Sequence, residues 1–314
     1  PVRLHSLALY GALCSKWGNR GDYQFNITDL GTNVKPIRLP FGERNGMKGI
    51  GEDSEGFPLK SGRKWIMSLE SSVMNNQRPI EKVDPYHPRH LSATAIIDSD
   101  HADVQAYAWG TIGESKDPVE RAVKLYRAVR DDIRYDPYSP FYRPGHYRAS
   151  YVLKRGRSFC VPKASLLCAL GRVCGIPSRV GFATVRNHLA TRQLIEFLGS
   201  DLFVYHGFVE FHLRGKWVKA TPAFNRELCQ RHNVPPLEFD GHEDSLFQPY
   251  NMENQKFMEY VEFYGVGTDI PVEDIVRAWK KAYGEERVRR WIEMFEEQED
   301  RSLSEFDQEE VYRG

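Results

Sequence analysis

Residues 156–179, GRSFCVPKASLLCALGRVCGIPSR, contain a helix start, an apolar helical face and a helix stop. Pro162 suits a first helical turn, where its missing N–H would have no helical partner. Ala164, Leu167, Cys168, Gly171 and Cys174 recur with helical spacing and form a stripe of small and apolar residues. Gly175 offers the left-handed position after a helix, and Pro177 prevents continuation. Small residues along that stripe imply a large neighbour packed closely against it. Cys168 and Cys174 lie within the stripe and read as core thiols.

Cys160 stands at the helix start, where unpaired N–H groups and the macrodipole favour an anion. With Lys163 one turn away, this is a setting in which a thiol loses its proton and becomes a nucleophile. A cysteine ahead of an apolar helix is also an ordinary small buried residue. Chemistry at Cys160 therefore requires a base elsewhere in the chain.

The bulk numbers narrow the classes. A chain of 314 residues supports one large or two modest domains. Its 43 basic and 43 acidic residues leave no electrostatic footprint for nucleic acid or an anionic membrane. No apolar run approaches the roughly 18–20 residues that span a bilayer. The five cysteines lack C-x-x-C spacing, which argues against a disulfide framework or a zinc ribbon. With no recognisable signal peptide, the expected location is cytoplasmic.

Residues 1–86 show no sustained period and are expected to be poorly defined or partly disordered. From there, LSATAIID (91–98) is expected as a strand, and Asp117-Pro118 opens a helix with Val119, Ala122, Val123, Tyr126 and Val129 on one face. After the Cys160 helix, RVGFATV (179–185) reads as a buried strand. LFVYHGFVEFHL (202–213) reads as another, turning at Arg214-Gly215-Lys216 into WVKATPAFN (217–225). A two-residue loop in this hairpin puts Thr221, Ala223 and Asn225 on the face of His206, Phe208 and Glu210. The segment 227–254 is loop-rich. Helices are expected from Pro271 to about Tyr283 and from Arg287 to Glu297, followed by an acidic, solvated tail.

His206, 46 residues after Cys160 and inside an apolar strand, could supply the base. A helix-opening cysteine, a strand histidine in HGFVEF and a hairpin return in GKWVKATPAFN follow one another in that order. The order, the spacing and the GIPSR helix exit resemble the transglutaminase-like superfamily of papain-like cysteine enzymes, over roughly 90–285 and most closely 149–225. Among its members the chain looks most like bacterial transglutaminase-like proteins of unassigned substrate. The resemblance implies an α+β, papain-like core with the Cys helix packed on an antiparallel sheet bearing the His. It implies a catalytic domain over 87–290, with 291–314 as a helix end and tail. Cys160 matches the superfamily's nucleophile and His206 its base. The usual third residue, an Asp followed by Pro, is replaced by Thr221 in Thr221-Pro222. Asn225 on the same face and Asp240 from the following loop are further candidates to orient His206. Ser158 stands where a glycine is common.

The implied activity is acyl transfer or hydrolysis at an amide or peptide bond through a Cys160 thioester, without metal or organic cofactor. The partner is then a peptide, protein or amide, with no nucleic acid and no membrane. The competing expectation is a weak or inactive binding module on the same fold, for which Thr221 is the reason. A metal held by Cys160, His206 and His188 is disfavoured by the absence of closely spaced ligands.

Overall fold

The computed structural model describes residues 84–297 and 306–310; the expectation for the segment before residue 84 falls outside the described residues. Helix α1 (Ala102–Ile112) and helix α2 (Pro118–Asp132) lead into the core. Asp117 caps α2, its carboxylate accepting from Val119 N–H at 3.4 Å, and Val119, Ala122, Leu125, Tyr126 and Val129 are buried along one face. Strand β1 (Arg134–Tyr135), helix α3 (Ala149–Arg155) and strand β2 (Arg157–Ser158) follow, β1 and β2 pairing in parallel. Helix α4 (Cys160–Val173) comes next and is buried continuously from Cys160 to Arg172. Gly175 is left-handed (φ 72°) just beyond it, as a helix exit requires.

The sheet consists of β3 (Ser178–Asn187), β4 (Leu202–Leu213), β5 (Lys216–Ala220) and β6 (Met258–Gly267), in the order β5-β4-β3-β6. All three pairings are antiparallel. Helix α5 (Arg192–Leu198) bridges β3 and β4, and helix α6 (Arg226–Arg231) follows β5. Helices α7 (Val272–Tyr283) and α8 (Glu285–Glu297) close the described core. Among the described residues, no helix is long and apolar enough to cross a membrane.

Two glycines let α4 lie directly on β4. A Cβ at Gly171 would come within 2.5 Å of the Phe211 ring, so Phe211 is the large neighbour that the small-residue stripe requires. A Cβ at Gly207 would sit 2.8 Å from Val161 Cα. Backbone meets backbone there, at the first turn of the helix. Arg172, buried in the last turn of α4, donates to the carbonyls of Ser92 at 2.8 Å and Thr268 at 2.7 Å, tying two distant segments to the helix.

Two expectations need correction. Residues 91–98 form turns instead of a strand: Thr94 Oγ1 accepts from Ile97 N–H at 2.9 Å, a local bond that competes with strand pairing. Strand β6 is an outer strand exposed on both faces, with Val261, Phe263, Tyr264 and Val266 at the surface. Helix α8 runs across residues 290 and 291, with Trp291 and Phe295 buried. Nor is the whole acidic end solvated, since Phe306 and Glu309 are buried.

Candidate active site

Cys160 is the first residue of α4, and the tight contact at Gly207 fixes what surrounds its sulfur. The backbone N–H groups of Gly207, Val161 and Cys160 itself act on Sγ in the direction that favours a thiolate. Burial opposes them and wins, pushing the thiol up to about 11. Lys163 does not tip this balance. Its side chain is fully buried, and Nζ donates to the Arg130 carbonyl at 2.9 Å and to the Ile133 carbonyl. Those carbonyls close the C-terminal end of α2, so Lys163 works chiefly as a cap between two helices. Burial lowers its amine to about 7. The expected depression of the thiol by Lys163 is thus outweighed by the desolvation of both groups.

His206 is buried in β4, opposite Ala183 of β3. Its ring lies against Phe247, with centroids 4.9 Å apart, and edge-on to Tyr260 at 6.3 Å. With Nε2 buried and unpartnered and no charged group acting on it, burial alone lowers the imidazole to about 3. Cys160 and His206 line one narrow cleft of about 40 Å³ with Tyr135, Phe159, Trp279 and Tyr283 among its walls. No hydrogen bond joins the sulfur to the ring among the contacts of the described residues. Thiol and imidazole therefore rest uncharged, in the same cleft.

A bulge shapes the strand next to His206. Ala183 pairs with His206 but Val185 pairs with Phe203, so Val204 and Tyr205 together oppose Thr184. Tyr205 is left-handed (φ 60°), which costs a non-glycine residue about 1–2 kcal/mol. Helix α7 holds the freed backbone. Trp279 Nε1–H donates to the Val204 carbonyl at 2.8 Å, and the Tyr283 hydroxyl accepts from Val204 N–H at 2.8 Å while donating to the Leu202 carbonyl at 3.0 Å. Tyr205 itself stacks on Tyr264 at 4.6 Å. Strain held by such specific partners beside a thiol marks a built site. Sequence reasoning missed Tyr205, Trp279 and Tyr283, since nothing local signals a helix residue reaching a bulge more than seventy positions away.

The hairpin turns at Arg214 and Gly215, and its register, Val209 opposite Ala220 and Glu210 opposite Lys219, puts Thr221 on the His206 face. Thr221 lies just past the end of β5 with its hydroxyl buried and unpartnered. Tyr260 reaches toward that hydroxyl without forming a well-shaped hydrogen bond. The other two expected orienters are committed elsewhere. Asn225 accepts from Tyr135 N–H at 3.1 Å and donates to Glu227 at 3.0 Å, pinning β1 to the start of α6. Asp240 is exposed and accepts from His242 N–H at 2.7 Å and Glu243 N–H at 3.0 Å, closing its own turn. Among the described residues, neither is hydrogen-bonded to His206. His188 pairs with Glu259 at 3.2 Å, away from the thiol, and no group of metal-ligating residues occurs among the described residues. Other residues of the sequence pattern are structural. Glu210 binds Arg179 at 2.6 Å, and the Arg179 guanidinium lies 4.0 Å above Trp217.

A thiol at a helix start and an imidazole on the adjoining antiparallel strand, sharing a cleft, define a papain-like α+β domain. Residues 105–222, from within α1 to just past β5, match the transglutaminase-like superfamily. Among solved structures, the chain is similar to a "putative cysteine protease" from Cytophaga hutchinsonii, with 16% identity and a TM-score of 0.40 over 63% of this chain and 53% of that one. It is also similar to a "putative protease" from Parabacteroides distasonis, with 17% identity and a TM-score of 0.29 over 38% of this chain and 23% of that one. The chain thus spans about half of the first protein and less than a quarter of the second. No curated protein matches it.

Proposed function

We propose that the domain is a cysteine-dependent enzyme acting on an amide or peptide bond, with Cys160 as nucleophile and His206 as base. The observation that carries this reading is the placement of the Cys160 thiol at the start of α4, against Gly207 N–H, in the cleft that His206 also lines. In the reaction, His206 takes the thiol proton as sulfur attacks the carbonyl carbon. In this scheme backbone N–H groups at the start of α4 stabilise the oxyanion. The C–N bond then breaks, the amine leaves with the proton from His206, and the acyl group remains as a thioester. Water or a second amine resolves it, giving hydrolysis or transfer. The scheme calls for no cofactor, and its substrate is a peptide or protein.

Thr221 in place of an acid, and an imidazole without a polar partner, favour a second reading: a transglutaminase-like module that binds peptides without turning them over. An electrophilic peptide probe separates the two. Under the first reading intact-mass spectrometry finds one adduct, on Cys160. Cys160→Ala abolishes it, and His206→Ala slows it by about 10²-fold or more. If Cys160 stays unmodified while the protein still retains peptides, the binding module is the correct reading.

A further inference from the structure

A second pocket, with about 20 Å³ of free space left between its side chains, adjoins the thiol cleft. Tyr135, Leu194 and Phe203 line both, so the two are separated by shared side chains and not by a layer of core. The second cavity is apolar, with Phe224, Leu228, Val234 and Phe257 in its wall, and Phe306 enters it from the C-terminal end of the chain. The Phe306 ring meets Tyr135 edge-on at 5.7 Å, Tyr138 at 6.1 Å and His232 at 6.0 Å. Three residues on, Glu309 turns the same way. Its carboxylate accepts from the Tyr138 hydroxyl at 2.9 Å and from the Thr191 hydroxyl at 2.5 Å. Thr191 is itself fixed, because its Oγ1 accepts from Leu194 N–H at 3.1 Å as the N-cap of α5.

The segment around these two residues has the character of a docked peptide. Phe306–Gln308 is a single 3-10 turn, which brings positions i and i+3 to one side. Phe306 and Glu309 are buried, whereas Gln308 and Glu310 face solvent. An aromatic anchor in an apolar pocket and one carboxylate held by two hydroxyls give two-point recognition, of the kind a peptide needs for register and direction. Any chain seated in this way leaves Phe306 against Tyr135, a wall of the thiol cleft.

We propose that this pocket is a subsite for peptides carrying an aromatic side chain followed three residues later by a glutamate, and that residues 306–310 occupy it as an intramolecular competitor. Its assignment to a substrate rests on the thiol reading above; its assignment as a binding pocket does not. A tethered occupant is present at an effective concentration of about millimolar, so an external peptide meets a mostly filled pocket. Removing the occupant raises the apparent affinity by the inverse of the open fraction.

The test uses the full chain and a fluorescein-labelled synthetic peptide with the sequence of residues 304–310, SEFDQEE. Fluorescence anisotropy should show weak binding to the wild type and binding about tenfold tighter or more to Phe306→Ala. The peptide with alanine in place of phenylalanine should bind neither. Glu309→Gln keeps the ring and loosens the carboxylate clamp, so it should gain about threefold. It decides the matter if Phe306→Ala melts too low to be folded. Equal binding by wild type and both variants, or equal binding of the alanine peptide, overturns the subsite. The same titration, run beside electrophilic-probe labelling of the wild type and of Phe306→Ala, separates the two proposals. Tighter peptide binding without any covalent labelling of Cys160 removes the enzyme and leaves the subsite; labelling of Cys160 with no gain in binding removes the subsite and leaves the enzyme.

Discussion

Around Cys160, three backbone N–H groups and a helix N-terminus face the sulfur, whereas His206 lies between Phe247 and Tyr260 with Nε2 buried and unpartnered. One half of the pair is equipped for charge and the other is not. Burial acts on both, moving the thiol up to about 11 and the imidazole down to about 3. On the thiol side, fixed dipoles are in place to hold the anion once it forms. On the imidazole side, the cation would have no acceptor except the thiolate itself. The comparison predicts a resting pair that is neutral, with charge separated only when a substrate brings the two groups together.

The pH dependence of labelling is the largest effect that follows. A thiol near 11 stays protonated at neutral pH, so labelling by iodoacetamide should climb about tenfold per pH unit from pH 7 toward pH 10. A flat profile between about pH 5 and 8 would mean that a thiolate–imidazolium pair forms at rest, which breaks the comparison. Stability carries the matching sign on the other side. His206 binds a proton near 6.5 in the unfolded chain but only near 3 in the fold, so the unfolded state takes up more protons in between. The fold should lose stability as pH drops through that window.

Gly207→Ala comes next in size. The added methyl would sit 2.8 Å from Val161 Cα, and backbone cannot yield as a flexible side chain does. Strand and helix must separate, at a cost of about 1–3 kcal/mol in urea denaturation. Gly207 N–H then moves away from Sγ, and probe labelling of Cys160 should fall by about 10²-fold. Unchanged labelling would show that the Gly207 contact serves packing alone.

Much of this site was legible in the sequence, because its main parts are signalled locally. A cysteine before Pro162, an alternating strand through His206 and a tight turn at Arg214-Gly215 announce themselves within a few residues. The stripe through Gly171 also foretold a large neighbour, and Phe211 is that neighbour. What remained hidden depends on distance. Trp279 and Tyr283 reach back to a bulge in β4, and Phe306 crosses to β1 from the far end of the chain. Lys163 misled for a related reason: its proximity to Cys160 is local, but its partners are carbonyls at and just past the end of α2, thirty or more residues earlier. Periodicity and caps report the neighbours of a residue along the chain. They do not report desolvation, which sets both the thiol and the imidazole here.

Thr221 offers the finest test, since it lies where the deficiency on the imidazole side can be repaired. Its hydroxyl and His206 Nε2 are both buried without partners, and the hairpin register puts the two residues on one face of the sheet. Its backbone is fixed independently, the carbonyl accepting from the Tyr126 hydroxyl at 3.2 Å. Thr221→Asp therefore changes the side chain with little reason for the chain to move. A carboxylate there can accept from Nε2–H and stabilise an imidazolium, raising His206 from its value near 3. Labelling of Cys160 near neutral pH should then rise about tenfold, at a loss of about 1–3 kcal/mol in stability for burying the acid. Thr221→Val, which removes only the unpartnered hydroxyl, should leave stability unchanged or slightly higher. An NMR titration of His206 reads the effect directly. If Thr221→Asp leaves that titration where it was, residue 221 does not face the ring, and the imidazole must be oriented from elsewhere or by substrate.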